Sequence, residues 1–498
     1  MPTLVTNLRR FARGLSSAAL AIRAAVLPIF FAGLFVALAC PRAPADVGVI
    51  LNESLDESMD RITGSGHMAV YFSRICADSP TKLRLCAPGE LGSVMSTYIN
   101  IGEDQPFEWN IVPLNIYLYG VENSRNRPIF GSFKIKHALE ERYRQNYLSG
   151  YCATPACQAS GKAEWREMVA ATLIRGVYMF VVDTSVEQDR QLIAEFNNSP
   201  NQNHFNGATH NCADFARQVI NTYFPHAASR DYINDFGMTS PKAVARTFTH
   251  YALRHPEINL RVMHFAQVPG TIKRSSEVRA GTEQLFRSKK LLIPMIVFAN
   301  QALPVLAASY LFTGRFNPEH EFERHPASNL APENSTSSPQ LQAAELQDER
   351  LQIVGASAEW KKYRKAFNSE VEENIDSLEG HDHSRFLKYL DERGTASVDS
   401  DGAAWIQLSE NGESINVGVS ASNVLARESN PQLSYELLLA RTSAFLKSPK
   451  HRRETMLEFH QDWANLQHAS AGAAAVSARN AVPPELARGT VRPGGGTF

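Results

Sequence analysis

One stretch governs the prediction for this chain: His204-Phe-Asn-Gly-Ala-Thr-His-Asn-Cys-Ala-Asp-Phe215, followed directly by Ala216-Arg-Gln-Val-Ile-Asn-Thr-Tyr-Phe224. Its apolar residues recur at the spacing of an amphipathic helix. Asn211 is a favourable N-cap residue, so Cys212 should be the first helical residue. A thiol at that position meets the positive end of the helix dipole, which favours the nucleophilic thiolate. The backbone N–H groups at the helix start could also stabilise an oxyanion.

A base for this thiol is predicted far upstream, where His67 begins a predicted strand of apolar residues that continues to Phe72. A cysteine nucleophile and a histidine base usually work with a third polar residue, which orients the imidazole. If the hairpin after His67 turns near Pro80, Glu90 or Ser93 falls opposite the histidine. Asn115, on the next predicted strand, is a further candidate for this role.

Other readings of the nearby polar residues stay open. His210 is a rival base, although its place before the helix predicts that it points away from the thiol. His204, His210 and His67 could instead gather with Cys212 around zinc. They lack a helical His-x-x-x-His spacing, so we expect neither a metal nor a cofactor. Asp214 is best explained as a first-turn acid favoured by the helix dipole. The alternative for Cys212 itself is a small buried side chain without chemistry.

The first 45 residues have the pattern of a bacterial secretory signal. Arginines without any acid precede an apolar run, and Ala43-Pro-Ala45 offers the small residues needed for cleavage before Asp46. Retention of the segment as an N-terminal anchor is the alternative. Lipidation at Cys40 is disfavoured because Ala37 stands where a larger aliphatic residue is usual.

Composition and cysteine count narrow the function further. The formal net charge is −1, which argues against a nucleic-acid partner. Export implies an oxidising compartment, where the remaining cysteines can pair. Their local spacing predicts disulfides Cys76–Cys86 and Cys152–Cys157, although four cysteines allow three connectivities. Cys212 is then left as the single thiol, which strengthens its case as a nucleophile.

The mixed order of predicted helices and strands indicates the α+β class, with a compact domain over residues 46–255. A short helix is predicted over residues 46–62. The uncharged stretch from Leu291 to Phe312 is long enough to predict a transmembrane helix, with a buried helical hairpin as the alternative.

Three segments follow this apolar stretch. Residues 316–345 have the composition of a disordered linker. The pattern of residues 346–470 predicts a small α+β module with a hairpin turn at Asn411-Gly412. Residues 471–498, rich in Ala, Gly and Pro, predict a disordered tail.

The arrangement of these motifs resembles a known family. A Gly66-His67 strand start lies far ahead of Asn211-Cys212, with Phe215 after the cysteine and His204-Phe205 before it. This order is similar to that of the circularly permuted papain-like superfamily, which includes NlpC-type cell-wall peptidases and lecithin–retinol acyltransferase-like proteins. The resemblance covers about residues 60–225. It implies a permuted papain-like domain in which Cys212 and His67 act through a thioester on peptide, amide or ester bonds.

Together these features predict a membrane-tethered cysteine hydrolase or acyltransferase of the bacterial cell envelope, with its catalytic domain in the periplasm. The expected substrate is a cell-envelope peptide or an acyl lipid. A non-catalytic envelope scaffold or binding protein with the same fold is the alternative. The accessibility of the Cys212 thiol separates the two hypotheses, because a scaffold has no need of an exposed thiolate.

Overall fold

The computed structural model describes residues 45–55, 66–97, 100–102, 105–106, 108–151, 164–202, 210–287, 289–298, 301–325, 383–410, 413–425 and 437. This part of the chain is α+β, as predicted. The predicted signal up to residue 44, the predicted Cys152–Cys157 disulfide and the predicted disordered tail lie outside the described residues.

The main sheet has six strands in the order β10-β9-β1-β2-β5-β8, and every neighbouring pair is antiparallel. Smaller sheets pair β3 with β4, β6 with β7, and β11 with β12 and β13. The strands are β1 (Ala45–Asn52), β2 (His67–Phe72), β3 (Ile75–Ser79), β4 (Lys82–Leu85), β5 (Ser93–Ser96), β6 (Asn100–Gly102), β7 (Gln105–Pro106), β8 (Asn110–Pro113), β9 (Val177–Thr184), β10 (Arg261–Phe265), β11 (Thr395–Val398), β12 (Ala404–Glu410) and β13 (Glu413–Gly418).

The helices lie between and around these strands. They are α1 (Leu114–Tyr119), α2 (Phe133–Tyr147), α3 (Ala171–Ile174), α4 (Val186–Asn198), α5 (Cys212–Tyr223), α6 (Pro241–Arg254), α7 (Gly281–Arg287), α8 (Lys289–Phe298), α9 (Ala302–Ser309), α10 (Pro318–Arg324), α11 (His383–Arg393) and α12 (Ala421–Leu425). Short 3₁₀ turns occupy Ser124–Asn126, Glu164–Met168 and Pro256–Ile258, and a π-helical turn occupies Tyr310–Gly314.

Strand β1 corrects the prediction of a helix over residues 46–62. It lies between β9 and β2 in the middle of the sheet, and Val47, Val49, Ile50 and Leu51 are all fully buried. A strand covered on both faces has no alternation of polar and apolar residues. Its short apolar run therefore could not be distinguished from a helical segment by periodicity.

Helix α5 packs against β2 and β1. The residues that it buries share the apolar face predicted from the sequence and include Ala213, Phe215, Ala216, Val219, Ile220 and Tyr223. This packing brings the start of the helix to the start of β2, so the local amphipathic pattern of α5 determines where its first residue lies.

The hairpin after β2 differs from the prediction. Strand β2 ends at Phe72 and pairs with β1 and β5, whereas the hairpin consists of β3 and β4. The predicted Cys76–Cys86 disulfide is confirmed and joins the two sides of this hairpin. The strand beside β2 is therefore β5, whose Ser93 pairs with Phe72 at the far end of β2 from His67.

The prediction of a transmembrane helix over residues 291–312 is wrong. Among the described residues, no helix is both long enough and apolar enough to span a bilayer. The apolar stretch is divided between α8, with 10 residues, and α9, with 8, whereas a span needs about 20. Pro294 lies inside α8, where it removes one backbone hydrogen bond.

The C-terminal part of the described chain packs on helix α2. Strand β11 contacts α2, and the Lys134 Nζ donates to the carbonyl oxygens of Glu392 and Gly394 at 3.2 and 2.9 Å. The predicted hairpin is confirmed as β12 and β13, while its turn residues lie outside the described part. Helix α10 occupies the beginning of the segment that composition predicted to be a disordered linker.

Candidate cysteine–histidine site

Cys212 is the first residue of helix α5, as predicted, and its cap is well formed. The Asn211 side chain accepts hydrogen bonds from the N–H groups of Ala213 and Asp214 at 2.9 and 3.0 Å. The same side chain donates to the Thr239 carbonyl at 2.9 Å, which ties the cap to the loop before α6. Asn211 therefore fixes both the start of the helix and its position in the domain.

This cap changes the prediction about an oxyanion site. Two of the N–H groups at the helix start, those of Ala213 and Asp214, already donate to Asn211. The described residues offer no acceptor to the N–H of Cys212 itself. The donor available to a developing oxyanion at the helix start is thus the amide of the cysteine, directly beside its own sulfur.

His67 is the first residue of β2 and is held in place by its neighbours on β1. It pairs with Asn52, whose side-chain amide donates to the His67 carbonyl at 3.3 Å. Asn52 also exchanges hydrogen bonds of 2.7 and 3.0 Å with the buried Tyr117 hydroxyl. Gly66 precedes the histidine with φ of +69°, and a Cβ there would lie 2.3 Å from the Asn52 carbonyl oxygen. Only glycine fits this entry to the strand.

The two elements bring the thiol beside the start of β2. The backbone N–H groups of Met68 and Ala213 are close enough to the Cys212 sulfur to lower the pKa of the thiol. Met68 directly follows His67 in the strand, so the thiol lies one residue from the histidine. The residues that sequence spacing proposed as nucleophile and base are therefore neighbours in the fold, although 145 positions separate them in the chain.

Ser96 is the polar partner of His67, and the sequence did not reveal it. The His67 Nε2 lies 2.9 Å from the Ser96 Oγ, and the Ser96 hydroxyl donates to the Met68 carbonyl at 3.0 Å. Because the single hydroxyl proton is directed to Met68, Ser96 accepts from His67, and Nε2 carries the imidazole proton. The lone pair of the neutral ring is then on Nδ1.

The structure does not bring Glu90 or Asn115 to the histidine. Glu90 makes two hydrogen bonds of 2.7 Å with the Arg84 guanidinium at the base of the hairpin, on the exposed surface. Asn115 donates to the Glu122 carbonyl at 2.8 Å. The prediction misplaced Glu90 because it continued β2 into the hairpin. It misplaced Asn115 because strand β8 ends at Pro113 and Asn115 lies in helix α1, not in a strand. The polar residues that could have been considered as partners of His67 were the two serines of the short strand Ser93-Val-Met-Ser96.

Burial determines the resting charges of the site. It raises the pKa of the Cys212 thiol to about 11, more than the N–H groups of Met68 and Ala213 lower it. Burial also lowers the pKa of His67 to about 3, and the nearby Glu167 raises it only in part. The expectation of a stabilised thiolate is therefore wrong for the resting site, where burial keeps both the thiol and the imidazole neutral.

An ion pair borders the site. Arg175, which is buried, donates to the Glu167 carboxylate at 2.9 Å. Both charges act on the pKa of Cys212 and of His67, in opposite directions. Burial raises the pKa of Tyr117, so its hydroxyl keeps its proton and remains a donor to Asn52.

The remaining polar candidates have other surroundings. His210 is exposed, and His204 lies outside the described residues. Asp214 is fully buried and accepts from Arg230 and the Thr239 hydroxyl, both at 2.7 Å, which makes it a structural acid. Within the described ranges, the metal-ligand types cluster at Cys76, Cys86 and Glu90, and both sulfurs there belong to the disulfide.

Comparisons with protein-family models, with curated proteins and with solved structures found no match to this chain. The functional argument therefore depends on the geometry of the cysteine–histidine site.

Proposed function

We propose that this protein is a thiol hydrolase or acyltransferase in which Cys212 is the nucleophile and His67 the base. One observation carries the proposal. The thiol lies near the Met68 N–H at the start of β2, and the preceding residue of that strand is a histidine whose Nε2 lies 2.9 Å from the Ser96 hydroxyl oxygen. A nucleophile, a base and an orienting group for the base are the parts that covalent catalysis by cysteine requires.

The neutral resting state is compatible with this chemistry. Burial opposes a charge on the thiol or on the imidazole alone. Transfer of the thiol proton to the Nδ1 of His67 would create both charges together, and their attraction offsets part of the cost. Proton transfer would then accompany attack on the substrate, as in general-base catalysis.

The reaction follows in two steps. The Cys212 sulfur forms a bond to the carbonyl carbon of an amide or ester, while its proton passes to His67. The imidazolium returns this proton to the leaving amine or alkoxide as the carbon–heteroatom bond breaks, leaving a thioester. Water or an acceptor hydroxyl then attacks the thioester, with His67 as base, and restores the thiol. The Cys212 N–H would stabilise the oxyanion in both steps.

The proposed substrates are a peptide, amide or ester of the cell envelope. The Cys76–Cys86 disulfide supports work outside the cytoplasm, because disulfides persist in oxidising compartments. The resemblance to permuted papain-like enzymes in the order of His67 and Cys212 supports the same reaction class.

The test is acyl transfer from p-nitrophenyl acetate, followed by mass spectrometry of the acylated chain. Wild-type protein should release p-nitrophenol with an acyl group on Cys212. Cys212→Ser should remove the labelled peptide, and His67→Ala should slow acylation by about 10²–10⁴-fold. His210→Ala is the matched control, since it removes an exposed histidine two residues from the cysteine. Acylation at other residues, or an unchanged rate in His67→Ala, would exclude the proposal.

A non-catalytic binding protein is the second candidate, and the neutral state of both Cys212 and His67 favours it. A thiol with a pKa of about 11 beside a histidine with a pKa of about 3 is also what an inert, buried pair would show. In that case, acylation should proceed at the same slow rate in wild type and in His67→Ala.

A further inference from the structure

A second concave site lies beside helix α5. It is a cleft of about 420 Å³ whose walls include Arg217 and Asn221 of α5, together with Arg230 from the loop that follows. Cys212 does not line it. At 100° per residue, Arg217 lies about 140° around the helix from Cys212. The cleft is therefore separate from the cysteine–histidine site, and its chemistry does not depend on the function proposed above.

The cleft carries excess positive charge. The Arg230 guanidinium donates to the Asp214 Oδ1 through Nε and a terminal nitrogen, at 3.1 and 2.7 Å. The Arg217 Nε lies 3.5 Å from the same oxygen, which is the length of an ion pair without a good hydrogen bond. One buried carboxylate thus faces two guanidinium groups, and one positive charge remains uncompensated by it.

Arg217 is poorly satisfied for a side chain that is only 24% exposed. Its Nε makes no hydrogen bond, and Asp214 at 3.5 Å is its only polar partner among the described side chains. A guanidinium has five N–H donors in a fixed plane. The terminal nitrogens of Arg217 make no hydrogen bond to the described residues, so their N–H groups remain available to an anion in the cleft.

The neighbouring carboxylate of Asp231 does not compensate this charge. Asp231 follows Arg230 in the chain, but its carboxylate accepts from Arg246 at 2.6 Å and from Asn234 at 2.7 Å. It is therefore engaged elsewhere. His226 also lines the cleft.

The walls of the cleft are held in place by hydrogen bonds to the backbone. The Asn221 side chain both accepts from the Ala228 N–H and donates to the Ala228 carbonyl, each at 2.9 Å. The Ser229 N–H donates to the Thr247 hydroxyl at 3.0 Å. A cleft fixed in this way loses little conformational entropy when a ligand binds.

We propose that this cleft binds a phosphate group through Arg217 and Arg230. Phosphate oxygens accept charge-assisted hydrogen bonds from guanidinium groups that approach at different angles. Ser229 and Tyr232 also line the cleft, and its volume exceeds that of phosphate alone. The ligand is therefore a phosphorylated small molecule or a phosphorylated headgroup, whose remaining atoms contact Tyr232.

The experiment measures binding to the full chain by calorimetry with glycerol 3-phosphate, and by co-sedimentation with vesicles containing phosphatidate. Chloride at equal ionic strength corrects for screening. Arg217→Gln should weaken binding at least tenfold, because it removes charge-assisted hydrogen bonds. Arg217→Lys should retain part of the affinity, since it keeps the charge but loses the planar donors. Arg190→Gln is the matched control, because Arg190 is an exposed arginine paired with Glu187 on helix α4. Melting temperatures without ligand identify any variant that fails to fold.

Each outcome decides the proposal. Saturable binding of glycerol 3-phosphate that Arg217→Gln loses and Arg190→Gln keeps would support a soluble ligand. The same loss seen only with phosphatidate vesicles would support a lipid headgroup. Absence of binding to both probes, equal binding by folded Arg217→Gln, or acetate binding as tightly as phosphate would overturn the proposal.

Discussion

The Nε2 of His67 lies 2.9 Å from the Ser96 hydroxyl oxygen, and that hydroxyl donates its proton to the Met68 carbonyl. The serine therefore selects the tautomer of the histidine. With the proton on Nε2, the basic lone pair is on Nδ1. The cysteine–histidine site thus has a positioning residue for the base, supplied by the strand that pairs with β2.

Ser96→Ala should weaken both the fold and the site. It removes the acceptor for the His67 N–H, and an unsatisfied donor costs about 1–3 kcal/mol of unfolding free energy. Urea unfolding measures this loss, and the pH profile of acylation should shift because the tautomer is no longer selected. Ser93→Ala is the matched control, since the buried Ser93 hydroxyl makes no hydrogen bond to any of the described residues. Equal stability and equal pH profiles for the two variants would exclude the positioning role.

The reactivity of Cys212 without substrate should depend steeply on pH. With a thiol pKa of about 11, only about one molecule in 10⁴ carries the thiolate at pH 7. Alkylation by iodoacetamide should therefore accelerate about tenfold per pH unit up to pH 10. A rate that levels off near neutral pH would contradict this prediction. Cys212→Ser should lose the alkylated peptide that contains residue 212 in the wild-type protein.

His67→Ala should leave this alkylation profile almost unchanged. The pKa of His67 is lowered to about 3, so at neutral pH the imidazole has no positive charge with which to stabilise a thiolate. The same variant should lose acylation by the ester probe, where His67 accepts the proton. Loss of both reactions together would indicate a charged resting pair instead.

Acidification should destabilise the protein through His67. Its pKa falls from about 6.5 in the unfolded chain to about 3 in the fold, so the unfolded state binds more protons between these values. The contribution is fully present above pH 6.5 and is lost as pH falls towards 3. His67→Gln should flatten the slope of unfolding free energy between pH 6.5 and 4. His255→Gln, which removes an exposed histidine, is the control, and an equal slope in wild type and His67→Gln would refute the assignment.

Removal of the Asn211 cap of α5 should affect both the free energy of unfolding and the acylation rate, and a second cap serves to distinguish the two effects. Asn211→Ala should cost about 1 kcal/mol, because it exposes two N–H groups of α5. It should also lower the acylation rate, since the cap positions Cys212. Asn317 caps α10 in the same manner, so Asn317→Ala should lose similar stability while acylation stays normal. A reduced rate in both variants would mean that acylation follows global stability alone.

Several elements of this fold could be predicted from the local sequence. The amphipathic pattern of α5, its Asn211 cap and the hairpin of β12 and β13 depend on residues close in the chain, so spacing predicted them. The Cys76–Cys86 disulfide was predicted for the same reason. Cys212 and His67 were both named as a pair, because each begins an element whose start is marked by its neighbours.

Tertiary structure decided the rest. Sheet order placed β5 beside β2 and made Ser96, rather than Glu90 or Asn115, the partner of His67. Antiparallel pairing across an intervening hairpin is a long-range choice that no local pattern encodes.

The protonation state of the site was also decided by tertiary structure, and so was the length of the two apolar helices α8 and α9. The sequence alone determined that a thiol begins a capped helix, and from the helix dipole it predicted a thiolate. Only packing decided how far the site is removed from water, and desolvation outweighed the dipole for Cys212. Likewise, composition determined that residues 291–312 are apolar, but the division of that stretch between α8 and α9 appeared only in the fold, because helix length is a property of the folded backbone rather than of hydropathy.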